Sequence, residues 1–187
     1  MNEHPARCAC EGRRRLLLLA AWSAAGAALT LAGCGGSSDD AAAVAAVDFG
    51  EGTVCSLDGM VLADYAGPKG QIRFDGTADP VYFCDTVELL AELLQPEQIR
   101  KVAAVYVQDM GKTDWERPRG QWIDARTALY VVGSRRHGSM GPTIASFALE
   151  ADALTFVGEH GGKLHRFAEI TPAMVDLGGG AKTDARM

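Results

Sequence analysis

Phe83-Cys-Asp-Thr-Val-Glu-Leu-Leu90 is the stretch that decides the fold, because it joins a predicted strand to a predicted helix. Val81-Tyr82-Phe83 is apolar and suits a strand, and Asp85 can cap a helix over Thr86 to Leu94. A second stretch, Phe147-Ala-Leu-Glu-Ala-Asp-Ala-Leu154, matches the first in its aromatic, acidic and apolar positions. Two related strand–strand–helix–strand units would explain the repetition, and a chance likeness of two short strand-to-helix junctions is the alternative. The mixture of strands and helices predicts an α+β fold in one compact mature domain.

The remaining elements fit these two units. Further strands are predicted from alternating or continuous apolar patterns, at 71–75, 102–107, 122–124, 128–132, 143–147 and 163–167. A second helix is predicted from about Glu150 to Glu159, where Gly161-Gly162 would end it. Residues 111–120 and 135–141 are polar or glycine-rich, and they are predicted to be loops.

The first 33 residues have the pattern of a signal peptide and are set apart from the fold. Arg13-Arg14-Arg15 precede an apolar run from Leu16 to Leu31, and Leu31-Ala32-Gly33-Cys34 follows. The run is short for a membrane span of about 20 residues. The cysteine at its end resembles a bacterial lipobox, which implies that Cys34 carries the lipid after cleavage. Acyl chains would then anchor the protein without a spanning helix. An ordinary signal peptide cut nearby is the alternative.

The mature chain is predicted to be one domain of 154 residues, in three parts. A flexible tether covers 34–52, the folded domain covers 53–177 and a frayed tail covers 178–187. Residues 1–33 take four of the 18 basic and two of the 24 acidic side chains with them, which leaves a net charge of about −8. A nucleic-acid partner needs a basic surface, so this charge argues against one.

Sulfur-bearing side chains point to a soft metal. Cys55-Ser-Leu-Asp-Gly-Met60 holds a thiol and a thioether five residues apart, with a predicted turn at Asp58-Gly59 between them. Thiolate and thioether ligands select copper(I) over most biological metals. The ordinary alternatives are a cysteine and a methionine packed in the core, or a disulfide between Cys55 and Cys84 in an oxidising compartment.

Three further residues are weaker candidates for ligands. His137 and Met140 lie in a stretch with two glycines and a proline, 137–142, where a methionine is less expected in the core. Met110 follows a predicted strand. Each has an alternative reading as a packing or surface residue. Cys84 follows the apolar strand 81–83 directly, so it is predicted to pack in the core.

Several motifs, in this order, make the chain resemble the NosL family over about residues 52–177. They are the lipobox, Cys55 to Met60, Gly67-Pro68-Lys69, Tyr106 to Gly111, Trp122 to Ala125 and Gly133 to Gly141. The resemblance implies a fold of two ββαβ-type units and a copper(I) site. It favours Cys55, Met60 and Met140 as sulfur ligands, with Met110 and His137 less favoured.

The resemblance also implies a function and a place in the cell. We expect a periplasm-facing, lipid-anchored copper(I) metallochaperone that supports assembly of the copper centre of nitrous oxide reductase, beside a membrane complex of the ABC-transporter type. Gly35 after Cys34 favours the outer membrane by the usual lipoprotein sorting rule. No catalytic role is predicted. The alternatives are a disulfide-stabilised periplasmic interaction lipoprotein and an enzyme that uses Cys55 as nucleophile, although no base is placed near Cys55 by sequence.

Overall fold

The largest sheet in the computed structural model is built around a central strand with a helix packed against it. The structure describes residues 44–95 and 99–177. Strands β1 (Gly70–Phe74), β2 (Val81–Phe83), β3 (Val102–Gln108) and β4 (Trp122–Asp124) form an antiparallel sheet in the order β2-β1-β3-β4. Helix α1 (Thr86–Leu93) follows β2. A Cβ at Gly70 would lie 2.7 Å from Leu89 Cδ2, so the glycine is what lets α1 approach β1 so closely.

The second sheet repeats this arrangement. Strands β5 (Leu129–Val132), β8 (Ala145–Phe147) and β9 (Lys163–Arg166) form an antiparallel sheet in the order β8-β5-β9, and α2 (Glu150–His160) lies between β8 and β9 in the chain. A small hairpin of β6 (His137–Gly138) and β7 (Gly141–Pro142) is inserted between β5 and β8.

The two units share one topology, which confirms the prediction of an α+β fold with two ββαβ-type units. In each unit the first strand is central, the second lies on one side, and the strand after the helix lies on the other. Phe83 and Phe147 each end the second strand, and each helix starts three residues later. Asp85 caps α1, since its side chain accepts a hydrogen bond from Val87 N at 2.9 Å.

Apolar side chains from the sheets and helices form the core. In the first unit they include Ile72, Leu89, Leu90 and Val105, all fully buried. In the second, Phe147 and Phe156 pack against each other at 5.2 Å between ring centroids. A third cluster joins Phe49, Leu62, Cys55 and Cys84, and in it Phe49 packs between Tyr82 of β2 and Trp122 of β4.

The structure differs from the sequence-based expectation at two places. Residues 135–141, predicted as a loop, contain the β6–β7 hairpin. Residues 44–52, inside the predicted tether, are hydrogen-bonded to the first sheet: Gln71 exchanges two bonds with Val47, and Phe49 is buried. Packing therefore begins before residue 53. The predicted signal peptide, Cys34 and the tail 178–187 lie outside the described residues.

Candidate metal centre

A tight hairpin presents Cys55 to the interior. Val54 and Val61 form an isolated bridge, Cys55 N donates to Met60 O at 2.8 Å, and Gly59 N donates to Cys55 O at 3.0 Å. Gly59 has φ +75°, a backbone conformation that favours glycine. Asp58 Oδ1 accepts from Met60 N at 2.9 Å, and this bond fixes the turn. The predicted turn at Asp58-Gly59 is thus confirmed, and it brings Cys55 and Met60 to adjacent positions.

The junction between β2 and α1 supplies the facing residues. Cys84 follows the last residue of β2, and Glu88 lies four positions later, in the first turn of α1, so both side chains project from the same side of the junction. Ser56 N donates to Tyr82 O at 2.8 Å, which ties the Cys55 hairpin to β2. The turn at 55–60 and the start of α1 are therefore held against each other.

Two thiols and two carboxylates meet between these elements. The ligand atoms of Cys55, Asp58, Cys84 and Glu88 all lie within 4.8 Å of one another. Cys55 Sγ lies 3.2 Å from Glu88 Oε2, and Cys84 Sγ lies 3.4 Å from the same oxygen. Cys55, Cys84 and Glu88 are buried, whereas Asp58 is exposed. Both cysteines are free thiols. The sulfur pair suits a soft cation, and the carboxylates would also suit zinc(II).

Hydrogen bonding and burial shift the pKa values of these groups in different directions. The hydrogen bond with Cys84 lowers the pKa of the Cys55 thiol from its ordinary value of 9.0 to about 6, against the opposing effect of burial. The same bond, together with burial, raises the pKa of Cys84 well above its usual range. Burial and the bond to Cys55 raise the pKa of Glu88 to about 8. At neutral pH, Cys55 is therefore the thiolate of the group, and thiolates are the metal-binding form of cysteine.

A buried lysine lies behind the thiol pair. Lys69 is 0% exposed, and its ammonium donates to the carbonyl of Ala66 at 3.0 Å and to that of Cys84 at 3.1 Å. Burial lowers the pKa of Lys69 to about 8, and the nearby Asp85, Cys84 and Glu88 act in the opposite direction. Lys69 is thus a positive charge held directly against the backbone of Cys84.

The β6–β7 hairpin closes the other side of the cluster. Its two-residue turn is Ser139-Met140, and Ser139 Oγ lies 3.1 Å from Cys84 Sγ. Met140 is 58% exposed, and it lines a cavity of about 360 Å³ together with Glu88 and Asp85. A Cβ at Gly138 would overlap the carboxylate of Asp85, so this glycine allows the hairpin to approach α1.

The other predicted ligands have different surroundings. Met60 is half-buried and packs against the cluster that contains Cys55 and Cys84. Met110 packs against the core of the second unit instead. His137 is exposed, and its carbonyl accepts a hydrogen bond from Trp115 Nε1 at 3.1 Å. The structure therefore places Met60 beside Cys55 and Cys84, and the β6–β7 hairpin beside Cys84 and Glu88, while Met110 contributes to a separate core.

Sequence reasoning did not select Cys84, Glu88 or Asp58 as site residues. Cys84 is buried, as predicted, but its sulfur contacts polar groups as well as the core. The sequence did contain a signal for it: Cys84 and Glu88 are four residues apart at a predicted helix start, which places them on one face. No sequence pattern indicated that this face packs against the 55–60 turn.

Comparisons with known proteins agree with this architecture. A family model described as NosL matches residues 46–175. The chain is 44% identical over 131 residues to the copper-binding lipoprotein NosL of Stutzerimonas stutzeri, and this match covers 69% of this chain and 67% of that protein. It is 41% identical over 120 residues to the copper-binding lipoprotein NosL of Achromobacter cycloclastes, and this match covers 62% of each of the two proteins. The matched part thus spans about two thirds of the length of these relatives.

A solved structure is similar over the same part of the chain. The crystal structure of the copper chaperone NosL from Shewanella denitrificans superposes with a TM-score of 0.66 at 41% sequence identity, and it covers 69% of this chain and 97% of that one. No helix of residues 44–95 and 99–177 has both the length and the apolar character that crossing a bilayer requires. On the family match, the sequence identities and the shared fold, this chain belongs to the NosL family.

Proposed function

We propose that this protein binds copper(I) as cargo and delivers it for assembly of the copper centre of nitrous oxide reductase. The observation that carries the proposal is the pair of Cys55 and Cys84 sulfurs, which lie within 4.8 Å of each other beside two glycine-containing hairpins that each bear a methionine. Thiolate and thioether donors favour copper(I). The names of the relatives, a copper-binding lipoprotein and a copper chaperone, support the same function.

The proposed binding residues come from the two turns. Cys55 supplies a thiolate, and Met60 and Met140 are proposed as thioether ligands. We give Met110 and His137 no ligand role, because Met110 packs in the second core and the exposed His137 belongs to a strand of the hairpin rather than to its turn. Cargo must also leave, and ligands on turns can be exchanged one at a time without unfolding the sheets.

The first test is metal selectivity of the mature protein. We expect it to bind one copper(I) per chain under reducing conditions and to prefer copper(I) to zinc(II), because sulfur is the softer ligand. Competition with a copper(I) chelator, with and without excess zinc(II), measures both properties. Failure to retain copper(I), or its displacement by zinc(II), would contradict the proposal.

A lipid on Cys34 is proposed to hold the protein at a membrane facing the periplasm, and Gly35 favours the outer membrane. The relatives from Stutzerimonas stutzeri and Achromobacter cycloclastes are named lipoproteins. We expect Cys34→Ser to release the protein into the soluble periplasmic fraction with unchanged thermal stability, since the described core begins near residue 47. Fractionation and a melting curve test this, and a mutant still tightly bound to membranes would count against lipid anchoring.

A disulfide-stabilised interaction lipoprotein is the second candidate function. The observation that favours it is the same one, because two thiols so close together are within reach of a disulfide after small movements. A free-thiol count on protein purified without reductant separates the candidates. Two free thiols per mature chain support the chaperone, and none supports the disulfide.

A further inference from the structure

The two cysteine sulfurs point at one place. Cys55 Sγ and Cys84 Sγ both make hydrogen bonds to the single oxygen Oε2 of Glu88, at 3.2 Å and 3.4 Å. Two sulfurs that both lie within hydrogen-bond distance of one oxygen face the same small volume. A cation in that volume would therefore be within reach of both sulfurs.

The separation of the sulfurs also fits one ion. A metal–thiolate bond is about 2.3 Å long, as in zinc sites, so two such bonds in a line span about 4.6 Å. The sulfurs of Cys55 and Cys84 lie no more than 4.8 Å apart. Both sulfurs are therefore within reach of one copper(I) placed between them, and two sulfur ligands are enough for a sparse copper(I) site.

On these grounds we propose that Cys84 is the second thiolate ligand and that copper is held mainly between Cys55 and Cys84, with Met60 and Met140 as secondary donors. This rests on the proposed function, since it takes copper(I) binding as given and assigns the ligand. Copper(I) binds to the Cys55 thiolate and displaces the thiol proton of Cys84 to solvent, which leaves a bis-thiolate complex of charge −1. No oxidation or reduction is involved.

The charges around the pair suit such an anionic complex. Lys69 is a fully buried ammonium that donates to the carbonyl of Cys84, and among the described residues no carboxylate lies within ion-pair distance of it. A buried charge is costly unless an opposite charge lies near it. Asp85 contributes part of that opposite charge, but its Oδ1 oxygen is hydrogen-bonded to Val87 N and Thr143 Oγ1. A bis-thiolate copper complex beside Cys84 supplies a further negative charge for Lys69.

Two measurements together decide between Cys84 and Met60 as the second ligand. The first is X-ray absorption of copper(I)-loaded protein in which every methionine is replaced by selenomethionine, so that thioether ligands appear as Cu–Se and thiolates as Cu–S. We expect two Cu–S contacts per copper, with or without a Cu–Se contact. A single Cu–S contact would overturn the proposal, and this measurement needs no mutation at a buried position.

The second measurement is copper(I) affinity of matched variants, each checked for folding by its melting temperature. We expect Cys84→Ser to lose more than about 100-fold, because loss of a ligand should exceed the roughly 10- to 100-fold effect of outer-shell partners. Met60→Leu, which conserves volume, should lose about tenfold or less. Cys84→Ser within tenfold of wild type would overturn the assignment, and Cys84→Ala serves if the serine variant misfolds. Absence of copper(I) binding by the wild type would instead contradict the proposed function itself.

Discussion

Cys55→Ser is expected to lower copper(I) affinity by more than about 100-fold, beyond the roughly 10- to 100-fold cost of altering outer-shell groups. Cys55 is 2% exposed and lies at the centre of the sulfur cluster. The hydrogen bond from Cys84 lowers its pKa to about 6, so at neutral pH it already has the charge that copper(I) binding needs. A serine hydroxyl stays protonated and is a hard donor, which copper(I) binds poorly.

The control is another sulfur side chain in the same protein. Met110→Leu conserves volume and removes a thioether that packs against the second core, away from Cys55. We expect its copper(I) affinity to match that of the wild type in the same chelator competition. Equal losses in Cys55→Ser and Met110→Leu would show that the assay reports folding rather than ligation, and wild-type affinity in a folded Cys55→Ser would remove Cys55 from the site.

Short-range patterns predicted most of the fold. Asp85 before an apolar helical face identified the start of α1, because an N-cap acts within a few residues. The repeated aromatic–acid–apolar pattern at Phe83 and Phe147 marked the same strand-to-helix junction twice, and the resemblance to the NosL family turned that repetition into a prediction of two units. These features are local in sequence, so a pattern of residues is enough to reveal them.

The parts that depend on distant contacts were not predicted. Phe49 lies in a stretch rich in small residues, and only its burial between Tyr82 and Trp122 distinguishes that stretch from a tether. Cys84 belongs to the metal cluster because a turn 29 positions earlier in the chain packs against it. Lys69 gave no sequence signal of burial, since lysine is rarely buried without a partner. The burial of Phe49 and Lys69 and the position of Cys84 result from packing between elements that are distant in the chain. The periodicity of a single sequence does not reveal that packing.

In a denitrifying host that makes this protein, its deletion is expected to leave nitrous oxide reductase made but deficient in copper. The effect should be largest under copper limitation, because a carrier matters most when free copper is scarce. The readouts are copper per purified reductase and accumulation of nitrous oxide. Full copper content and normal activity at low copper would remove the proposed function and leave only a copper-binding lipoprotein.

Complementation with variants separates binding from transfer. Cys55→Ser should fail to restore the reductase, because it does not hold copper. Met140→Leu should fold, since Met140 is 58% exposed at the tip of the β6–β7 hairpin, and as loss of a secondary donor it should lower copper(I) affinity by about tenfold or less, within the range of outer-shell effects. Its exposed thioether is nevertheless well placed to share copper with an incoming partner, so we expect slower restoration of reductase copper than with the wild type. Restoration by Met140→Leu at the wild-type rate would show that transfer proceeds without this side chain.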